Sequence, residues 1–291
     1  MVIENKVVST LQIRPNVPEL CSAFGKKENV NKVELIQCRM NKETWRVEAE
    51  SCAEQPERIH AIWKEEALAK GFRIRGKTYM EDKVKIQAGT PLFELVWLDM
   101  FHSERENLFH ISRNSKSFVQ RAISKYGEGV PQLLVINILL PGSPEVSIAQ
   151  YFALRKEVAE LLDSNPNEAM KLWKMFLEGD DAFRNSRFKL IPEIQEGPWL
   201  VKKSVGGNPT LIAKALQVSW FRGTNYLEAV VDVSSDRIAK HITALCRRHA
   251  TSLVVDIGFV IEGTEHSELP ESLLACVRYN RPNCDDALPL N

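Results

Sequence analysis

The chain carries no surplus of charge: its 38 lysines and arginines are matched by 38 aspartates and glutamates. With neither sign in excess there is no long-range field to gather nucleic acid or an anionic membrane, so any electrostatic recognition must come from local patches. Long apolar runs are also missing. The longest are the size of a strand or a short buried helix, below the roughly 20 residues of a spanning helix, which predicts a chain that does not cross a membrane. The start, Met1 to Lys6, has no apolar signal core, so secretion is not expected and a cytoplasmic, reducing setting is. The six cysteines, Cys21, Cys38, Cys52, Cys246, Cys276 and Cys284, form no CxxC pair, and a chain able to bury a sizeable core does not need disulfides. Free thiols follow. The histidines are scattered, with His102 and His110, and His241 and His249, eight apart rather than at the i, i+4 spacing of a zinc helix. No metal and no other cofactor is expected. A nucleophile elbow, a metalloprotease helix and a dinucleotide fingerprint are all lacking, which leaves enzyme status without positive support.

Periodicity organises what is there. Short strands are predicted at 6–14, 33–40 and 45–52, then an amphipathic helix between Pro56 and Gly71 on the spacing of Ile59, Ile62, Trp63, Glu66 and Ala67. Residues 72–103 alternate as a hairpin turning at Gly89-Thr90-Pro91. A helix is predicted over 115–125, strands over 133–140 and 146–154, and a helix over 158–177 broken at Pro166. Strands at 188–192 and 199–204, a helix at 210–216 and a strand at 226–233 follow. A helix then starts at Ser234 or Ser235, a β-branched run covers 253–261, and Pro270 opens a last short helix. Strands in adjacent pairs with helices in groups predict an α+β fold, a curved and mostly antiparallel sheet with helices packed against it. The expected organisation is one domain over 1–282 with a polar tail over 283–291.

Gly71-Phe-Arg-Ile-Arg-Gly76-Lys77-Thr78 spells the P-loop pattern GxxxxGK[ST]. A P-loop follows a buried strand and opens a helix, whereas this segment follows a helix and runs into a strand pattern, so nucleotide binding is rejected and Gly76 is expected to mark a bulge or close packing. A second constellation is basic and aromatic: Arg184, Arg187, Lys189, Trp199, Lys202, Trp220 and Arg222, beside Phe183, Phe188, Lys203 and Phe221. Such interleaving can meet a phosphate head group, or can be the solvated, ion-paired face of strands, with Asp180, Asp181 and Glu228 as counter-charges. The helix from Ser235 sets Ile238, Ala239, Ile242, Leu245 and Cys246 against Arg237, Lys240, His241, Arg247 and Arg248. It reads either as a surface helix packed on the sheet or as a basic amphipathic helix able to lie on an anionic bilayer.

The run Gly179-Asp-Asp-Ala-Phe-Arg-Asn-Ser-Arg-Phe-Lys-Leu-Ile-Pro192, with Gly197-Pro-Trp-Leu-Val-Lys-Lys-Ser-Val-Gly206, resembles the C-terminal domain of the plant ENHANCED DISEASE RESISTANCE proteins, a domain without an assigned function. The resemblance continues at Phe72-Arg-Ile-Arg-Gly-Lys-Thr-Tyr-Met-Glu-Asp82, at Trp220 to Glu228, at Thr251-Ser-Leu-Val-Val-Asp256, at Glu262-Gly263 and from Leu269-Pro-Glu271 to Val277-Arg278. Together these cover about residues 70–280. The resemblance implies a link to membranes and lipids, since larger members carry pleckstrin-homology and START modules ahead of this domain. The present chain is too short to hold those modules and reads as a stand-alone form. No catalytic residues come with the family. One departure stands out: relatives have a nearly continuous apolar segment before the Thr251 match, where this chain has Cys246-Arg-Arg-His249.

These readings converge on a non-enzymatic domain that binds a lipid or other apolar small molecule, peripheral to membranes, with the seven residues Arg184, Arg187, Lys189, Trp199, Lys202, Trp220 and Arg222 as ligand or head-group contacts. The alternative is a protein–protein interaction module, a subunit or adaptor without ligand. Partners under the first reading are a lipid or apolar molecule and an anionic membrane surface; nucleic acid is not among them.

Overall fold

A carboxylate or amide at the residue before a helix accepts the first unpaired backbone N–H, and the chain uses this device repeatedly. Asn167 accepts from Met170 N at 2.9 Å, Asp180 from Phe183 N at 2.7 Å and Asp236 from Ala239 N at 2.7 Å. The computed structural model describes residues 57–290; the strands expected at 6–14, 33–40 and 45–52, and Cys21, Cys38 and Cys52, lie outside them. In chain order the elements begin with α1 (Glu57–Trp63), β1 (Arg73–Arg75), α2 (Tyr79–Asp82), β2 (Lys85–Gln87) and β3 (Phe93–Ser103). There follow α3 (Arg105–Leu108), α4 (Phe118–Tyr126), β4 (Leu133–Leu140), β5 (Glu145–Leu154), α5 (Lys156–Ser164), α6 (Glu168–Glu178) and α7 (Asp181–Arg187). The remainder comprises β6 (Phe188–Glu196), α8 (Trp199–Val205), β7 (Thr210–Leu211), α9 (Ile212–Ala215), β8 (Gln217–Arg222), β9 (Tyr226–Asp232), α10 (Arg237–Arg248), β10 (Val254–Ile261), β11 (Leu273–Asn280) and β12 (Leu288–Pro289).

The fold is α+β, and the strands divide among three sheets: β1-β2, β11-β10-β6-β7, and β12-β3-β5-β4-β9-β8. Among the described residues only β4 with β9 and β12 with β3 pair in parallel; the other pairings are antiparallel. Leu-Leu-Val-Ile-Asn-Ile-Leu-Leu in β4 is buried along nearly its whole length, because both faces of the six-stranded sheet are covered and a doubly covered strand loses its polar face. One face packs on the four-stranded sheet: Phe152 of β5 meets Phe259 of β10 at 6.1 Å, and Phe259 stacks on Phe188 of β6 at 5.8 Å. The other face carries Asp99, Asn137 and Glu228, aligned by the registers Asp99↔Ala149, Asn137↔Ala149 and Val135↔Glu228, and is crossed by residues 104–126.

Several expected elements form differently. The helix after Pro56 stops at Trp63, and Gly89-Thr90-Pro91 is a connector between two sheets, not a hairpin turn. The hairpin is instead β1-β2, with Arg73↔Gln87 and Arg75↔Lys85, closed around the single turn of α2. Trp199–Val205 is helical where a strand was expected: Pro198 supplies the N-cap position and Gly206, at φ 65, ends the element. Only Val201 of that helix is buried, so Trp-Leu-Val was an apolar triplet too short to set a period. The segment after Pro270 is β11, whose Leu273, Ala275, Val277 and Tyr279 alternate inward with half-exposed Cys276 and Arg278, at the period of a strand. Beyond Pro282, where a polar tail was expected, β12 adds to β3 by Leu288↔Phe101 and Leu290 is buried.

Candidate functional site

A cleft of about 1050 Å³ lies between α1, the connectors 64–70 and 88–91, β3 and β11. Trp63, Phe93, Val96 and Val277 form its apolar floor. Trp63 is fixed edge-on between His60, at 5.1 Å, and Trp97, at 5.8 Å, an arrangement that aromatic quadrupoles favour. The rim is polar. Arg155 is held by Glu94 at 3.0 Å and by the Pro91 carbonyl at 3.1 Å, and Arg278 makes a bidentate pair with Asp256 at 2.7 and 2.8 Å. Lys64 and Lys70 stand on the same rim, and Leu68 at the mouth is 69% exposed. Burial, with a smaller push from Lys64, lowers the His60 pKa, so its imidazole is neutral at pH 7. Burial also pushes the Cys276 thiol up to about 11, helped by the charge of Asp256. A thiol held that high is a packing group and not a nucleophile.

The seven basic and aromatic residues singled out from sequence do not gather at this cleft or into any one site. Arg184 is buried and satisfies the end of α6, donating to the Phe176 carbonyl at 3.0 Å and the Leu177 carbonyl at 2.8 Å, while pairing with Asp181 at 2.9 Å. Its guanidinium lies over the ring of Trp220, whose indole N–H donates to Asn185 at 2.9 Å; Arg222 reaches the same Leu177 carbonyl at 3.3 Å. Arg187 and Lys189 belong to a second cluster. Arg187 pairs with Glu268 at 2.6 Å, and Lys189, 5% exposed, pairs with Glu271 at 2.8 Å. Trp199 and Lys202 are on the surface of α8, where Trp199 is 71% exposed and the Lys202 ammonium reaches the Gln195 carbonyl at 3.3 Å. Of the two readings open from sequence, ion pairing and helix capping describe Arg184, Arg187 and Lys189.

Two buried carboxylate groupings escaped the sequence reading, which had Glu228 as a counter-charge to the arginines, whereas it accepts from backbone N–H groups and Asn137 and pairs with none of those arginines. Glu271 accepts from Lys189, from the backbone N–H of Arg75 at 3.0 Å and from Gly263 N at 3.2 Å, while Arg75 also pairs with Glu262 at 3.1 Å. This cluster clamps the β1-β2 hairpin onto the four-stranded sheet. It also accounts for the P-loop spelling: Lys77 donates to the Leu269 carbonyl at 2.9 Å, and a Cβ at Gly76 would press on Ile86 and the Val84 carbonyl at 3.2 Å each. On the other sheet Glu228, fully buried, accepts from Ile111 N and Ser112 N at 3.0 Å each and from Asn137 at 3.2 Å. Asp99 accepts from Trp97 at 2.6 Å and from Phe118 N at 3.3 Å. Burial raises the pKa of both carboxyls against those hydrogen bonds. The available signal was a lone carboxylate in an otherwise apolar strand: Leu98-Asp99-Met100 and Leu227-Glu228-Ala229.

Two stacked sheets, a clamped hairpin and an apolar-floored cleft define a mixed α+β domain built to hold shape around a concavity. The chain belongs to the family described as "Protein ENHANCED DISEASE RESISTANCE 2, C-terminal", which it matches over residues 63–282. It is similar to the "Protein ENHANCED DISEASE RESISTANCE 2-like" of Arabidopsis thaliana, 36% identical over 220 residues that make up 76% of this chain and 28% of that protein. The chain thus spans little more than a quarter of that relative's length. No solved structure matches it, and no described helix is long and apolar enough to cross a membrane.

Proposed function

We propose that the chain is a non-enzymatic domain that binds a lipid or other apolar small molecule in the cleft between α1, β3 and β11. The cleft itself carries the reading: about 1050 Å³ is at the upper end of ligand-sized cavities, and a floor of aromatic and aliphatic side chains under a rim of few, oriented charges is their usual lining. The apolar part of the ligand lies on Trp63, Phe93, Val96 and Val277, and its polar end meets the rim beside Lys64 and Lys70. Arg155 and Arg278, each already paired, shape that rim. The head-group role thereby passes from Arg184, Arg187 and Lys189, which are engaged inside the fold. Support for a binding role over a catalytic one comes from Cys276, whose thiol is raised and not activated. Free thiols at Cys246, Cys276 and Cys284 suit a reducing compartment.

Gly89 lines the cleft, has no positive φ, and a Cβ there would meet nothing within 4 Å, so Gly89→Trp adds an indole at the cleft wall with no clash at its Cβ. Native mass spectrometry of the purified full chain should find a co-purifying apolar mass that Gly89→Trp removes at unchanged unfolding midpoint. A clean apo mass for the unsubstituted protein, together with no uptake of fluorescent fatty acyl probes, sinks the reading.

A further inference from the structure

The surface opposite in character to the cleft is made by α8 and α10, which pack against each other. Trp199 is 71%, Leu200 51% and Ile238 70% exposed. Trp63, Trp97, Trp173 and Trp220 are all buried, so Trp199 alone among the described tryptophans is held out in water. No residue of the twelve in α10 is fully buried, although Ile238, Ile242 and Leu245 recur along it at helical spacing. The charges are one-sided. Neither helix carries an acidic residue, whereas Lys202, Lys203, Arg237, Lys240 and Arg248 do carry charge and are exposed. Lys203 sits over the Trp199 ring at 4.9 Å. Arg247 is turned away to the Pro141 carbonyl at 2.7 Å, and the carboxylates flanking the two helices in sequence, Asp236 and Glu196, respectively cap α10 and pair with Arg281 at 2.5 Å.

We propose that the α8–α10 face docks the protein onto an anionic phospholipid bilayer, with Trp199, Leu200 and Ile238 entering the interfacial layer and the five exposed cations meeting lipid phosphates. Tryptophan is the side chain best suited to that layer, because its ring is apolar and its N–H stays at head-group level. Isolated apolar residues within a field of cations alone complement a negative surface; a protein partner's interface core is instead depleted of charge. The apolar insertion is shallow and the cations attract only at close range, which predicts reversible binding that weakens with salt. A chain neutral overall, with 38 charges of each sign, can orient on a membrane only by such a local asymmetry.

The test is sedimentation of the full chain with phosphatidylcholine vesicles, with and without a quarter of phosphatidylserine, at low and high salt. Expected is binding to the charged vesicles only, with a blue shift of tryptophan emission and loss of iodide quenching as Trp199 leaves water. Lys202→Glu with Lys203→Glu should weaken binding about tenfold or more, and Trp199→Ser with Ile238→Ser by a similar factor. All four sites are exposed, and unchanged unfolding midpoints check that the variants fold. Gly89→Trp should bind vesicles as the unsubstituted chain does, which separates docking from occupancy of the cleft. The proposal is overturned by absence of binding to charged vesicles, by equal binding to neutral ones, or by undiminished binding of both double variants. It is equally overturned if light scattering reports a dimer that Ile238→Ser dissociates, since the face is then an interface between copies.

Discussion

Arg184 illustrates how a residue type that suits a ligand can be committed to the fold. Arginine offers planar, bidentate donors for phosphate, yet here those donors meet the two carbonyls at the end of α6 and the Asp181 carboxylate. From sequence the two uses look alike, because both need a cation near aromatics; what separates them is the position of backbone carbonyls, which no spacing reports. Glu271 is the strongest case. It is 4% exposed, and with it removed Lys189 keeps, among the described residues, only Glu262 at 3.5 Å as a counter-charge. Glu271→Ala should therefore cost about 3–5 kcal/mol of unfolding free energy, whereas pairing it with Lys189→Met recovers much of the loss, because no buried charge is left alone. Urea titrations of the two variants check this; equal destabilisation by single and double substitution counts against it.

His110 makes a pH-dependent contribution. At φ 62 it stacks on Phe221 with centroids 4.0 Å apart and shares a 3.1 Å hydrogen bond with the Tyr226 hydroxyl, while its buried Nδ1 has no partner for a second proton. Burial, with the charge of Arg113 adding to it, depresses the pKa from 6.5 to about 4. The unfolded chain then binds the proton more tightly than the folded one. Stability from this group is present above pH 6.5 and lost as pH falls towards 4, by at most about 3 kcal/mol. Asp99 and Glu228, with raised values, run the other way and lose stability as pH rises through their folded pKa. His110→Gln should accordingly flatten the fall below pH 6.5 relative to the unsubstituted protein; superimposable pH profiles of unfolding free energy refute the assignment.

At the scale of elements, legibility follows burial. β4 and β5, continuous aliphatic runs, match their expected bounds closely, and the break between α5 and α6 falls at Pro166 as its ring requires. Most elements that went unread are thinly buried or short; β11 is the exception, a buried strand expected as a helix because Pro270 suits a first helical turn. Only Val201 of α8 is buried, β8 alternates weakly, and β1 has three residues, so neither period accumulates enough turns to be recognised. The stretch 104–126 has little regular structure beyond α4 and is secured by its contacts with the sheet. Asn137 donates to the Leu108 carbonyl at 2.8 Å, Glu228 holds Ile111 and Ser112, and Asp99 holds Phe118. Glu228→Gln replaces one acceptor oxygen by a donor that faces a backbone N–H. The expected outcome is a loss of about 2 kcal/mol and faster amide exchange confined to residues 104–126, measured by hydrogen–deuterium exchange; exchange that rises uniformly across both sheets speaks against a local anchor.

The whole molecule was legible as α+β and mostly antiparallel because strand pairs and helix groups are sequential, but the division into three sheets was not, since it depends on pairings such as β6 with β10 that join distant parts of the chain. The cleft was invisible for the same reason: its floor comes from α1, β3 and β11, and no single segment carries its pattern. The closing of the six-stranded sheet shows how far that non-locality reaches. Residues after Pro282 are polar enough in composition to suggest a tail, yet Leu290 N donates to the His102 carbonyl at 3.1 Å, the Ser103 hydroxyl donates to the Leu290 carbonyl at 3.2 Å, and both Ala287 and Leu290 are buried. Arg58 of α1 also meets Asp286 at 3.3 Å, although an exposed pair adds little. Ending the chain at Pro282 uncovers the edge of β3 and the apolar surface under Leu290, at a cost of about 2–4 kcal/mol from lost burial and strand pairing. Because β3 also floors the cleft, the truncated protein should show a lower urea midpoint and weaker uptake of an apolar probe together, while a truncation that leaves both unchanged would mean that β12 merely rests on the sheet.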